Sequence, residues 1–279
     1  MPLGSRARRY APLLALVALG LLALVGPWLA PFDPRAQPDP VSLALLPPSW
    51  AHPFGTDPLS RDVLSRVLAG ARVSLGIAFS AVLVAVTLGT AVGATAALAG
   101  RWIDTVLMRV TDAAMAIPRL LLLLTAVAAF GSVTPLALAL LLGATGWMTT
   151  ARLVRQETHR LLGSEFVRGA RALGVPAVRL LRVHLLPALL PTIGVAATVA
   201  LAAAVPLEAG LSFLGLGVGP PNASWGNIIL EAEGEVIRRW WLVLFPTLAI
   251  VATVLTTNVV AERLGDAPQG DDATDGGAS

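Results

Sequence analysis

Residues that could do chemistry are few in this chain and widely separated. His52, His159 and His184 fall in three different segments without the spacing of metal ligands, and no His-Glu-x-x-His run accompanies them. There is no cysteine, so thiolate metal sites and disulfides are excluded. There is no lysine either: all 20 basic residues are arginine, so no glycine-rich phosphate loop ending in Lys-Ser or Lys-Thr exists. No nucleophile and base share a segment, so the chain is expected not to be an enzyme, with no catalytic residue, metal or cofactor of its own. What remains are ionisable side chains in apolar surroundings. Glu208 stands at the end of an apolar run, where an ionisable group is a candidate for function. It could line a path, or pair with an arginine such as Arg61 and hold a loop. Glu231, Glu233 and Glu235 alternate at a spacing of two and share no helix face, so a solvated external loop is expected there.

The elements that position these groups are set by composition. The 279 residues are 56% hydrophobic and 13% charged, with mean hydropathy +0.75, far from the balance of a soluble domain. A polytopic membrane protein follows. Its architecture is expected to be all-α with six transmembrane helices, since a helix satisfies its own backbone hydrogen bonds in lipid. The formal charge of +3 and pI near 10.8 do not indicate nucleic acid, because the arginines are distributed by loop.

Residues 1–9 read as a cytoplasmic N-terminus carrying Arg6, Arg8 and Arg9, and residues 10–30 as a first transmembrane helix. At ~1.5 Å per residue that run spans a ~30 Å hydrocarbon core. The lack of an Ala-x-Ala site after it favours a retained helix over a cleaved signal peptide. Residues 31–72 form an external loop with eight prolines between Pro31 and Pro58, closing in an amphipathic helix for which Asp57 or Ser60 is the expected cap. Arg61, Asp62 and Arg66 lie on the side that the positive-inside tendency disfavours, either held by protein contacts or on a solvated face.

Residues 73–264 make the core, with spans expected near 73–99, 103–130, 136–150 and 188–206, and a sixth opening at the aromatic belt Trp240–Trp241 and ending near Val260. Gly89 and Gly93 form a small-xxx-small pair that invites close helix packing. Arg109 lies three residues before Asp112, placed to pair with it at the membrane surface or to anchor topology. Residues 208–226 are rich in Gly and Pro and read as a re-entrant loop or an outer lid. Residues 265–279 are acidic and of low complexity, expected as a disordered cytoplasmic tail. This topology puts fourteen arginines inside, Arg119 among them, and six outside, so both termini are expected in the cytoplasm.

The densest basic segment runs from Arg152 to Arg182 and contains a patterned stretch, Glu165 to Pro187. Phe166, Ala170 and Leu173, then Val178, Leu181 and Leu185, recur at helical spacing on either side of Gly174. Gly174 ends a helix cheaply and Pro176 suits the first turn of another, so the spacing predicts helix, sharp turn, helix. Arg168, Arg171, Arg179 and Arg182 sit off that stripe, free to face water, lipid headgroups or a partner protein.

With these residues on the page, the chain resembles the C-type permease subunit of bacterial dipeptide/oligopeptide/nickel ABC importers, over nearly everything from His52 to about Ala261. Three motifs carry the resemblance: GTDPLSRDVLSRVLAGARVSL at 55–75, the stretch at 165–187, and EAGLSFLGLGVGPPNASWG at 208–226. In the family's cytoplasmic motif the positions read here as Arg168, Gly169, Ala170, Gly174, His184, Leu186 and Pro187. Gly169 stands where alanine is usual, which loosens an isolated helix by ~1 kcal/mol. Ser60 stands where the family's first motif usually has glycine.

The resemblance implies a permease subunit of an ATP-driven importer for di- or oligopeptides in the bacterial inner membrane, with nickel or another small ligand as the alternative cargo. It implies a homologous permease as heterodimer partner, two cytoplasmic ABC ATPase subunits and an extracytoplasmic substrate-binding protein, with no nucleic acid. Coupling to the ATPase would run through Glu165, Arg168, Gly169, Ala170, Gly174, His184, Leu186 and Pro187, with the stripe buried in a groove of that partner. Glu208, Phe213 and Trp225 would belong to the pathway or outer gate, where Glu208 could meet the amino terminus of a peptide. A non-transporting membrane scaffold or sensor is the reading from a different class.

Overall fold

The computed structural model describes residues 3–265, apart from Ser132, Pro220 and residues 234–236; of residues 3–13, Phe130, Arg171 and Ala177 only the backbone is described. Glu235 and nearly all of the expected tail therefore lie outside the described residues. Among the described residues the chain is all-helical, with an isolated bridge between Thr56 and Asp62 as its only extended pairing.

Helix α1 (Leu3–Leu29) leads into the proline-rich loop. Helix α2 (Val63–Leu98) is unbroken, so the amphipathic segment expected before the second span is the first part of that span. Its cap is Asp62 rather than Asp57 or Ser60: Ser65 donates its backbone N–H to Asp62 Oδ2 at 2.8 Å and its hydroxyl at 2.7 Å. Asp57 is committed elsewhere, as described below.

The third expected span is broken into α3 (Arg101–Met115) and α4 (Arg119–Phe130), bent by 79°. Pro118 is the cause. It lacks the N–H that a continuous helix would use, and it biases the preceding residue away from helical backbone. The fourth is likewise bent, by 43°, between α5 (Pro135–Ala144) and α6 (Trp147–Leu162), and α6 runs well past the expected end at Thr150.

Helix α7 (Glu165–Ala172) is followed by a turn and by α8 (Ala177–Arg179), which passes through a π-helical turn, Leu180–Leu185, into α9 (Leu186–Phe213). Pro187 explains the widened turn, because its ring needs room against the carbonyl four residues back. Helices α10 (Trp225–Leu230) and α11 (Trp241–Gly265) complete the described chain.

Three runs, Val63–Leu98, Leu180–Phe213 and Trp241–Gly265, are long and apolar enough to cross a bilayer, and the two bent pairs bring the number to as many as 5. Leu14–Leu29 in α1 is a shorter apolar helix. Helix α2 is the hub, packing on α1, α5, α6 and α9. Its contact with α6 depends on the expected glycine pair: a Cβ at Gly89 would stand 2.5 Å from the Cβ of Thr150, and one at Gly93 would collide with the carbonyl of Ala151. Trp225, Leu75, Ile228 and Leu242 fill the core where α2, α10 and α11 meet.

Candidate functional site

The residues singled out by sequence fall into two regions, and a third region holds a residue that sequence reasoning misplaced. The first region is the hairpin. Helix α7 is amphipathic, and Val167 on its inner face packs with Leu180 and Leu185 against Leu161 and Leu162 of α6. The expected stripe is thus divided. Leu185 is buried, whereas Phe166 (64%), Leu173 (86%) and Val178 (64%) stand exposed. Val167 fills the one buried turn of α7, while these three side chains stay largely outside the cluster. The ring of Phe166 meets His184 edge to face at 5.0 Å, tying the two arms together. Gly174 has φ of 76° and makes the turn, with nothing within 4 Å of an added Cβ. Glu165, Arg168, Gly169, Leu186 and Pro187 are exposed around it, and Ala170 and His184 are half-buried. Space is also open at Gly169.

The second region joins the motifs at 55–75 and 208–226. Asp57, fully buried, accepts from the backbone N–H of Leu59 at 2.8 Å and of Arg61 at 2.9 Å, and from Arg61 Nε at 2.6 Å; it also pairs with Arg66. Arg61 Nη2 donates to Glu231 Oε2 at 2.9 Å, and Arg66 Nη2 to Glu231 Oε1 at 2.9 Å. Two carboxylates and two guanidiniums thus neutralise one another, which is how charges survive burial. Glu231 is therefore not part of a solvated loop face as expected, and Arg61 does not reach Glu208. No local spacing relates Glu231 to these arginines, so the sequence carried no signal for this pairing. Beside this network, Asp62 bonds Nδ1 of His52 at 2.9 Å, and Trp241 donates its indole N–H to Thr56 O at 3.1 Å. Trp241 is buried, leaving Trp240 alone as the exposed member of the expected aromatic belt.

Glu208 is fully buried at the end of α9; Ser212 donates its hydroxyl to Oε1 at 2.8 Å, and Oε2 has no hydrogen-bond partner. Trp225 is buried too, its backbone N–H donated to Ser74 Oγ at 3.1 Å and its indole N–H to Val67 O at 3.0 Å on α2. Gly226 packs so closely on Ala209 and Ser212 that no side chain fits there. Phe213 is partly exposed at the mouth of this region. The structure brings Glu208 and Trp225 to one joint between α2, α9 and α10.

Further along α2, beside Ala81 and Ala85, the two bends meet. Arg119, the first residue of α4, donates Nη2 to Leu142 O at 2.6 Å and Nε to Thr145 Oγ1 at 3.3 Å, bracing the break between α5 and α6. It lines a cleft of about 90 Å³ with Ala85 of α2, Thr149 and Thr150 of α6, and Ala200 of α9. Sequence reasoning counted Arg119 among loop arginines; the bend after Met115 is what carries it between helices. Asp112 pairs with Arg152 of α6 rather than with Arg109 on its own helix, and Asp104 pairs with Arg155, so these two carboxylates fix α3 to α6.

Comparisons with known proteins agree with this architecture. Residues 85–267 match the family described as binding-protein-dependent transport system inner membrane component. A putative peptide permease protein of Brucella suis biovar 1 is 41% identical over 225 residues, covering 79% of this chain and 73% of that protein. The di/tripeptide transport system permease protein DppC of Pseudomonas aeruginosa is 35% identical over 264 residues, covering 91% and 85%. Among solved structures, the inward-facing MetNI methionine ABC transporter matches with a TM-score of 0.56 at 18% identity, over 72% of this chain and 95% of that one, a likeness of fold. A chain of membrane-length helices around α2, matching over most of its length, belongs to the binding-protein-dependent transport system inner membrane components and is a permease subunit of an ABC importer.

Proposed function

We propose that this chain crosses the inner membrane six times with both termini in the cytoplasm, forms half of a pathway for di- or oligopeptides, and is driven through its 165–187 hairpin by a separate ATPase. The observation that carries the coupling is the exposed apolar tip: Phe166, Leu173 and Val178 around a left-handed turn at Gly174. Arginines flank this tip, as suits a groove with an acidic rim. A partner permease contributes the other half of the pathway, and a binding protein delivers cargo. Closure of paired ATPases then moves the hairpins and rocks the helix bundles between outward and inward access, a rigid-body transition of packed elements. The cargo class rests on the relatives named for peptide and di/tripeptide transport.

The test is uptake into proteoliposomes holding the full complex with its binding protein. Labelled dipeptide is expected to accumulate only with ATP inside the ATPase compartment; accumulation of nickel with no peptide uptake would replace the cargo assignment. For the hairpin, the double variant Phe166→Asp, Leu173→Asp is expected to lose the ATPase on copurification while the permease keeps its thermal midpoint. Retention of the ATPase at wild-type stoichiometry would remove the hairpin from the coupling path.

A further inference from the structure

Arg119 makes no ion pair among the described residues, although it sits between apolar helices. An ionisable side chain at membrane depth is costly unless it is paired or serves a path. Its two hydrogen bonds, to Leu142 O and Thr145 Oγ1, use Nη2 and Nε, and neither partner is charged. Two helix breaks, at Ala116–Pro118 and at Thr145–Gly146, converge on it. Irregular backbone at membrane depth is tolerated where protein buries it or where it lines a watered cavity, and broken helices in transporters flank the substrate. The cleft meets this description: small side chains from α2 and α9 form its walls, and Thr149 and Thr150 of α6 complete the lining around Arg119. Gly146 is part of the arrangement, since a Cβ there would stand 2.7 Å from Arg119 Nη2.

We propose that the Arg119 cleft is an anion subsite of the translocation path, which takes the terminal carboxylate of a peptide as it crosses. A guanidinium presents a planar fork matched to a carboxylate, and in a low-dielectric cleft such a bond is charge-assisted. The bracing bonds to Leu142 and Thr145 fix the fork's direction before cargo arrives, so little side-chain entropy is lost on contact. The subsite rests on the peptide reading above.

The experiment uses the full complex in proteoliposomes with saturating, dialanine-loaded binding protein, and measures both dialanine uptake and ATP turnover. Arg119→Gln is expected to lower uptake at least tenfold while ATP turnover stimulated by loaded binding protein continues. Arg119→Lys keeps the charge but not the fork, and is expected to transport at a rate between those of wild type and Arg119→Gln, at least about threefold above the latter. Uptake by Arg119→Gln at the wild-type rate overturns the subsite. So does equal loss in Arg119→Gln and Arg119→Lys with a fall in thermal midpoint, which makes Arg119 a helix brace only. If the wild-type complex itself carries no dialanine but hydrolyses ATP, the peptide reading fails and the subsite falls with it, a result distinct from the other two.

Discussion

Single residues in this permease show what a departure from pattern costs. Ser60 occupies the position at which the family's first motif usually has glycine, and the backbone there has φ of 63°. A side chain in that conformation costs roughly 1–2 kcal/mol, which glycine avoids. The hydroxyl offers no compensation, for Ser60 Oγ is buried without a partner. Ser60→Gly is therefore expected to stabilise the protein by ~1 kcal/mol after allowing for the greater freedom of glycine in the unfolded chain. Thermal unfolding of the detergent-purified permease measures it, and a lower midpoint for the variant would refute the strain argument. The neighbouring charges were half legible. Arg61, Asp62 and Arg66 were candidates for protein contact from their position outside the membrane, yet Glu231 lies about 170 residues from Arg61, and no local period relates them. Arg119 was misread for a related reason: its sequence neighbours are apolar, and only the bend at Pro118 gives it a place between helices.

At the scale of elements, hydropathy located the helical runs, and glycine spacing located the α2–α6 contact. Breaks were less legible, because Pro118 could end a helix, kink it or sit in a loop, and the packing of α4 against α5 decides among these. The cap of α2 was misplaced by competition: Asp57 has the right type, but Arg61 and Arg66 claim its oxygens, leaving Asp62 to bond Ser65. Glycines on one helix now separate by environment. Gly93 packs against the backbone of Ala151 and Arg155, whereas Gly76 has nothing within 4 Å. Gly93→Ala must push two helix backbones apart and is expected to cost ~1–3 kcal/mol, as overpacking does. Gly76→Ala gains helix propensity and is expected to be neutral or to add up to ~1 kcal/mol. Unfolding midpoints of the two variants that moved together would show that close approach, rather than helix propensity, had been wrongly assigned to Gly93.

Across the whole molecule, the hairpin and the Glu208 joint are ends of one element. The helix from Leu180 to Phe213 is 34 residues long, so at the α-helical rise its ends are separated by up to roughly 50 Å. At one end Val167, Leu180 and Leu185 fix it to the hairpin; at the other Ser212 and Ala209 receive Gly226 of α10. A force applied at the hairpin is thus delivered to the joint between α2, α9 and α10 if α9 is stiff, and dissipated if it is not. Ala188 and Leu190 are exposed near the start of α9, so glycine can replace them without opening a cavity. Each substitution costs about 1 kcal/mol or less of helix propensity and adds backbone freedom where the lever begins. The pair Ala188→Gly, Leu190→Gly is expected to leave ATPase copurification intact and to lower peptide uptake per ATP hydrolysed about fivefold or more in proteoliposomes. Unchanged uptake per ATP would mean that the stroke reaches the pathway by another helix, with α6, which precedes the hairpin and packs along α2, as the next to soften.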